Sequence, residues 1–316
     1  MFGIGMFSDG SHTFAGLVLD GERVLDLSAE GWANTRAILG DWDTSLGRLK
    51  RIVENDTGEG EALDSLVSLP PICPAQILQS GANYRKHVID IILAEERERG
   101  VLSEDDALAM GRRIMDERAA NGEPYLFFGG VTAMCGAFDD VLLPAEGKQH
   151  DWELELAAVI ARPGRNVPVE RALDYVAGYT MANDVTTRDL VYRPDVGAIG
   201  TDWLRAKNSP TFLPTGPYIV PAEFVPDPMT LQVKLWLNGE LMQDGSTSDM
   251  IYGVAQLISY ASRRVALVPG DLVLTGSPEG NGMHYGRFLT DGDVMEGEIT
   301  FLGTQRNRCV GNGASA

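Results

Sequence analysis

The chain has 316 residues and 44% hydrophobic content, enough to bury a sizeable core as one large domain or as a small domain beside a large one. A net charge of −19 argues against nucleic acid or an anionic membrane surface as partner, and an anionic substrate would need a few placed Arg or Lys residues against that field. Three scattered cysteines exclude a disulfide framework or a structural zinc site; with no charged leader and no apolar run of membrane length, the expectation is a cytoplasmic protein. Residues 1–70 read as a small N-terminal α/β module that ends near Leu69-Pro70-Pro71. Residues 13–27 hold two β-rich runs around Asp20-Gly21, a hairpin signal, and residues 35–55 follow as one or two helices.

A strand entering a Gly81-Ala82-Asn83 turn then sets Tyr84 and His87 at a strand end or helix start. Residues 91–123 are highly charged and helical in pattern, with Ser103 as a cap and Ala107, Met110, Gly111 and Ile114 on one face. The stretch from His150 to Asp189 carries the most chemistry. A strand over residues 152–160 holds Glu153 and Glu155 two residues apart, so both carboxylates share a face. Asp184 ends a second strand over residues 179–184. Such a pair is either a solvated edge or a charge conflict resolved by a basic group or a cation. Three carboxylates with no Cys or His cluster suit a hard cation, Mg²⁺, Mn²⁺ or Ca²⁺. Residues 233–248 form a hairpin on Asn238-Gly239, followed by a helix over 250–263 with Ile251, Val254, Leu257 and Ile258 inward. An apolar strand runs into a Gly-rich loop over 267–282, and residues 293–301 make a last strand. Gly276 and Gly280 precede no predicted helix, so a phosphate cradle is not expected there.

WELELAAVIA followed by YTMANDVTTRDL, with NYRKH before and LVPGDLVLTGSPEGNG after, resembles the fumarylacetoacetate hydrolase family over residues 70–303. The resemblance implies Glu153, Glu155 and Asp184 as metal ligands and His87 as the base that activates water. Asp90 lies where relatives carry an acid that orients the His, with Glu95 and Glu96 as substitutes. Lys207, in RAKNSPTFLPTGP, would stabilise developing negative charge. Arg188, Tyr84 and Thr275 would contact substrate. The chain departs from the family pattern at Gly129-Gly130, where relatives have Lys-Pro, and at Val191, where some have Gln.

The implied fold is α+β and β-rich, a mixed β-sandwich roll over residues 71–316 with an enlarged helical lid at about 88–123, paired as a homodimer. The implied substrate is a small 2-oxo acid. The leading expectation is metal-dependent hydrolysis of a C–C bond in an acylpyruvate-like 2,4-dioxo acid. Oxaloacetate-type decarboxylation, isomerisation or dehydration on the same site are the alternatives, and a catalytically silent binding protein is the remaining one.

Overall fold

Asp20 (φ 54°) and Gly21 (φ 76°) occupy the left-handed positions that a tight hairpin requires, and join Thr13–Leu19 to Arg23–Asp26. Phe2–Ser8, unmarked in the sequence pattern, pairs with Thr13–Leu19 at the centre of a five-stranded sheet. Helices Thr35–Leu39 and Trp42–Glu54 place Ile38, Leu39, Trp42 and Leu49 in one core with this sheet. The computed structural model describes residues 1–198 and 200–311, without the side chains of Ala94, Glu95 and Glu98. Among these residues no helix is long and apolar enough to cross a membrane, and Cys73, Cys135 and Cys309 are all free.

The larger part is built on Leu154–Ile160, flanked antiparallel by Val176–Asn183 on one side and Leu272–Leu274 on the other. Ile77–Ser80 and Leu126–Gly129 extend this sheet beyond Leu272–Leu274, while Leu213–Thr215 and Met134–Gly136 extend it beyond Val176–Asn183. Leu154, Leu156, Ala158 and Ile160 point into the main core, which includes Leu257 and Ile258 of helix Val254–Arg264. Ala157 and Val159 point the other way, into the core shared with the N-terminal sheet and its helices. Both faces are covered, so the strand is buried throughout and lacks the alternation of a half-solvated one. A second five-stranded sheet holds the Gln232–Leu237 and Glu240–Ser246 hairpin, turned on Asn238 (φ 52°) and Gly239 (φ 82°). Val294–Ile299 and Thr304–Gly311 complete it with Val141–Leu143; the strand at 304–311 was not expected from sequence. The whole is the mixed, strand-rich α+β architecture expected.

Helices Arg85–Arg99 and Glu104–Asn121 form a hairpin on one side of the central sheet. Ser103 caps the second helix, its Oγ accepting from the Asp106 amide at 3.2 Å. The inward face is displaced from the expected one: Ala107, Gly111 and Met115 are buried, whereas Ile114 is exposed. Gly111 lets the helices approach closely, since an added Cβ would lie 3.3 Å from Ile89 Cγ1. Tyr252 Oη donates to Arg118 O at 2.7 Å, and Arg118 Nη1 donates to Ala82 O at 2.8 Å, tying the hairpin to the body.

Candidate active site

Period-two geometry carries Glu153 and Glu155 to the Ala157 face of the central strand, at its N-terminal end. Asp184 follows directly on the neighbouring strand, its amide donating to Glu153 O at 2.8 Å. One oxygen from each of these three buried acids lies within 4.8 Å of the others. Glu155 Oε2 accepts from the Gly276 amide at 2.7 Å. Gly276 makes that approach with φ 85°, and an added Cβ would come 3.2 Å from Asn83 Cβ.

Two cations are fixed against these acids. Lys207 Nζ, at the end of helix Trp203–Lys207, lies 2.7 Å from Glu153 Oε2, 2.6 Å from Asp184 Oδ2 and 2.6 Å from Thr186 Oγ1. Arg188 Nη2 donates to Glu153 Oε1 at 2.7 Å and its Nε to Asp151 Oδ2 at 2.8 Å. Burial alone would raise Glu153, but Arg188 and Lys207 hold it well below the usual carboxylate range. Among the described residues Glu155 forms no ion pair. Burial and the nearby charges of Asp184 and Glu153 push it well above its ordinary value. Burial also lifts Asp184, against the pull of Lys207, to about 6.

This donor set fits a divalent cation. Four buried acids, Asp151, Glu153, Glu155 and Asp184, face two basic groups, an excess of two negative charges if all are ionised, and Glu155 is the acid in no ion pair among the described residues. Oxygens on one Mg²⁺ at about 2.1 Å stand roughly 2.9–4.2 Å apart, and on Ca²⁺ up to about 4.8 Å apart. The three oxygens, all within 4.8 Å of one another, do not exceed the wider of these limits. Glu153, Glu155 and Asp184 would hold the ion.

His87 faces this cluster from the first covering helix. Burial, Arg188 and Lys207 lower its imidazole to about 4, against the opposing charge of Glu153, so the ring is neutral at pH 7. His87 Nδ1 lies 3.3 Å from Asn281 Nδ2. A cavity of about 150 Å³ is bounded by His87, Glu153, Glu155, Arg188 and Lys207 on one side and by Ile91, Tyr125, Phe127 and Trp203 on the other. A larger groove of about 1000 Å³, between the 19–23 turn and Phe138, contains none of these groups.

Three expected site residues point elsewhere. Asp90, one turn beyond His87, pairs with His284 Nδ1 at 3.1 Å because the short helix Gly282–Tyr285 offers that partner. Glu96 pairs with Arg99, and the side chain of Glu95 lies outside the described residues. Thr275 directs both its hydroxyl (3.0 Å) and its amide (3.1 Å) to Leu156 O, which continues the sheet pairing. Tyr84 is wholly buried in the main core and is not part of the cavity wall. Its neighbour Asn83 fixes this segment, bonding the backbone of Tyr252 and Thr275.

Asp151, Asn281 and Gln79 were not singled out by sequence reasoning. Gln79 Nε2 donates to Asp184 Oδ1 at 2.7 Å. Asp151 is fully buried and holds Arg188 on one side and the Gly282 and Met283 amides on the other, at 2.5 and 3.2 Å. The Gly-rich loop thus does precede a helix, contrary to expectation, and this carboxylate occupies its N-terminus. Only its place two residues before Glu153 could have drawn attention to Asp151. Asp151→Asn is expected to lower stability by roughly 3 kcal/mol, since it strips one partner from a buried ion pair. A urea denaturation curve with an unshifted midpoint would contradict that role.

A sequence profile of the fumarylacetoacetate (FAA) hydrolase C-terminal family matches residues 76–310. The chain belongs to the fumarylacetoacetate hydrolase family. Mitochondrial oxaloacetate tautomerase FAHD2B of Bos taurus is 40% identical over 190 residues, covering 60% of this chain and 59% of that protein. The 2,4-didehydro-3-deoxy-L-rhamnonate hydrolase of Sphingomonas sp. (strain SKA58) is 42% identical over 189 residues, covering 59% and 65%. The chain therefore spans less than two thirds of either relative. The crystal structure of maleylpyruvate hydrolase from Sphingobium sp. SYK-6 superposes with a TM-score of 0.75 at 27% identity, covering 99% of this chain and 100% of that one. The fumarylacetoacetate hydrolase family is one of enzymes acting on small molecules, and these relatives include both hydrolases and a tautomerase.

Proposed function

We propose that this protein is a divalent-metal-dependent hydrolase that cleaves the C3–C4 bond of acylpyruvate-type 2,4-dioxo acids. The observation that carries the reading is a cluster of three buried carboxylates, Glu153, Glu155 and Asp184, two of which line one small cavity with a neutral His87 and Lys207. The balanced reaction is R–CO–CH₂–CO–COO⁻ + H₂O → R–COO⁻ + CH₃–CO–COO⁻ + H⁺. When bound, a divalent cation supplies the Lewis acidity that lets a 2-oxo acid carry negative charge on its enolate.

The remaining steps fall to the chain's own residues. His87 takes a proton from water, whose oxygen attacks the C4 carbonyl. Lys207 Nζ stabilises the negative charge that develops on the carbonyl oxygen. As C3–C4 breaks, its electron pair goes to C3 as the pyruvate enolate, and the proton on His87 is available to C3. Arg188, held by Asp151 and Glu153, orients the substrate carboxylate. For His87 to act through Nε2, its Nδ1 must carry hydrogen. Turning the Asn281 amide over, an exchange of two atoms of similar size, puts Oδ1 where it accepts that hydrogen.

One observation favours a second reading, keto–enol tautomerisation. An imidazole lowered to about 4, with an amide and not a carboxylate beside it, is a weak base. It is better matched to a C3 proton between two carbonyls than to water, and the bovine relative's name as an oxaloacetate tautomerase agrees. Acetylpyruvate and oxaloacetate, assayed with Mn²⁺ or Mg²⁺ and again with chelator, separate the cases. Metal-dependent release of acetate and pyruvate supports hydrolysis. Enol–keto exchange without cleavage supports tautomerisation, and CO₂ release supports decarboxylation.

The pH profile follows from the same ring. The neutral form is the active one and its pKa is lowered, so kcat/KM should persist as pH falls through 6.5 and decline only towards about 4. An acid limb at 6.5 or above that persists at saturating metal would contradict this assignment of the base, whereas a limb that moves with metal concentration reports protonation of Glu155 and Asp184.

A further inference from the structure

The cavity has two unlike ends. Glu153, Glu155, His87, Arg188 and Lys207 form one; Ile91 from the covering helix and the rings of Tyr125, Phe127 and Trp203 form the other. The aromatic end is rigidly organised. Phe127 and Trp203 stack with centroids 4.9 Å apart at 16°, and Tyr125 packs against Phe127 at 6.0 Å. Trp203 Nε1 donates to Tyr125 Oη at 2.8 Å, which fixes the indole and satisfies its donor. The wall begins where the polar cluster stops, with Lys207 Nζ 6.0 and 5.8 Å from the Phe127 and Trp203 centroids.

We propose that this wall makes the protein selective for 2-oxo acids whose far end is uncharged and apolar, between isopropyl and phenyl in size. Within the hydrolase reading, on which this rests, the substrates are 2,4-dioxo acids with an alkyl or aryl group on C4, in preference to dicarboxylic ones. Among the described residues the only Lys or Arg side chains in the cavity wall are Arg188 and Lys207, and both stand at the carboxylate end, paired with Asp151, Glu153 and Asp184. A second substrate carboxylate would lie against Ile91, Phe127 and Trp203, where the Lys207 ammonium is already committed to Glu153 and Asp184, an arrangement that desolvation disfavours. An apolar group there gains ring contact and sheds water. Arg118, which is not in the cavity wall, donates to the lining residue Ala82 through its carbonyl oxygen. The volume of about 150 Å³ restricts the group to a compact one.

The test uses two stable 2-oxo acids that differ at the far end. Binding of 2-oxo-4-phenylbutanoate and 2-oxoglutarate to the Mn²⁺-loaded protein is measured by calorimetry. The phenyl acid should bind at least 10-fold more tightly. Trp203→Ala should weaken the phenyl acid at least 10-fold, and Ile91→Arg, which changes an outer wall residue, should narrow or reverse the ratio. Equal or tighter binding of 2-oxoglutarate, or binding of neither acid, overturns the proposal, and loss of that 2-oxoglutarate binding in Arg118→Ala would name the cation responsible. The hydrolase reading fails separately. If the phenyl acid binds preferentially yet acetylpyruvate and benzoylpyruvate are not cleaved, selectivity stands and hydrolysis falls. If a dicarboxylic 2,4-dioxo acid is cleaved faster than benzoylpyruvate, hydrolysis stands and selectivity falls.

Discussion

Replacing Glu155 by glutamine is expected to remove metal binding and activity together while leaving the metal-free fold intact. Gln keeps the shape and can still accept the Gly276 amide, so the loop loses no hydrogen bond. What disappears is a charge that burial, Asp184 and Glu153 all oppose when no cation is present. The metal-free variant should therefore melt no lower than the metal-free wild type. The wild type should gain about 2.7 kcal/mol at a metal concentration of 100 Kd, and the variant should lose that increment. Metal affinity should fall by at least about 100-fold, more than outer-shell changes usually cost. Activity should fall about 1000-fold or more, equivalent to roughly 4 kcal/mol of barrier. Elemental analysis after gel filtration, beside a melting curve with and without Mn²⁺, reads both effects. A variant that keeps one metal per chain would remove Glu155 from the ligand set.

His87→Ala carries the second large effect, and it separates reactions instead of abolishing all of them. A positioned general base contributes about 10²–10⁴-fold, so cleavage of acetylpyruvate should fall by that factor. Metal content should not change, because His87 is outside the acid triad. Decarboxylation of oxaloacetate needs no activated water and should survive in large part if the site supports it. Tautomerisation, in which the ring itself would carry the C3 proton, should fall with hydrolysis. The melting temperature guards against a trivial result, since His87 is buried and its loss leaves a cavity. Wild-type hydrolysis in this variant would show that another group activates the water.

How far the sequence revealed this site depends on the range of each interaction. The E-x-E pair was legible because its spacing is local and strand period places both glutamates on one face, whereas Asp184, on a later segment, was tied to them by the family resemblance. The solvated-edge alternative failed for a reason no local pattern contains: the strand is central, and both its faces are covered by segments remote in sequence. Hairpins at Asp20-Gly21 and Asn238-Gly239 were legible because left-handed φ values restrict composition strongly. The roles expected for Asp90, Thr275 and Tyr84 came from their place in motifs, and each side chain instead follows its nearest tertiary partner. Asp90 turns to His284, Thr275 to Leu156, and Tyr84 into the core. Asp151 illustrates the converse, since its bond to the Gly282 amide spans 131 positions and leaves no trace in spacing. The inward face of the second covering helix was misjudged for the same reason: its packing is set by Ile89 across the hairpin.

The base and the roof of the cavity are one piece of chain. His87 and Ile91 belong to a single helix, joined to the Gly-rich segment through Asn281 and His284. Any swing that opened the chamber to solvent would also carry the imidazole away from the acids and unfasten both of those ties. Bulk water would then reach the acids only when no base stands ready to activate it. In the proposed reaction, protection of a reactive enolate and readiness for chemistry would thereby be coupled.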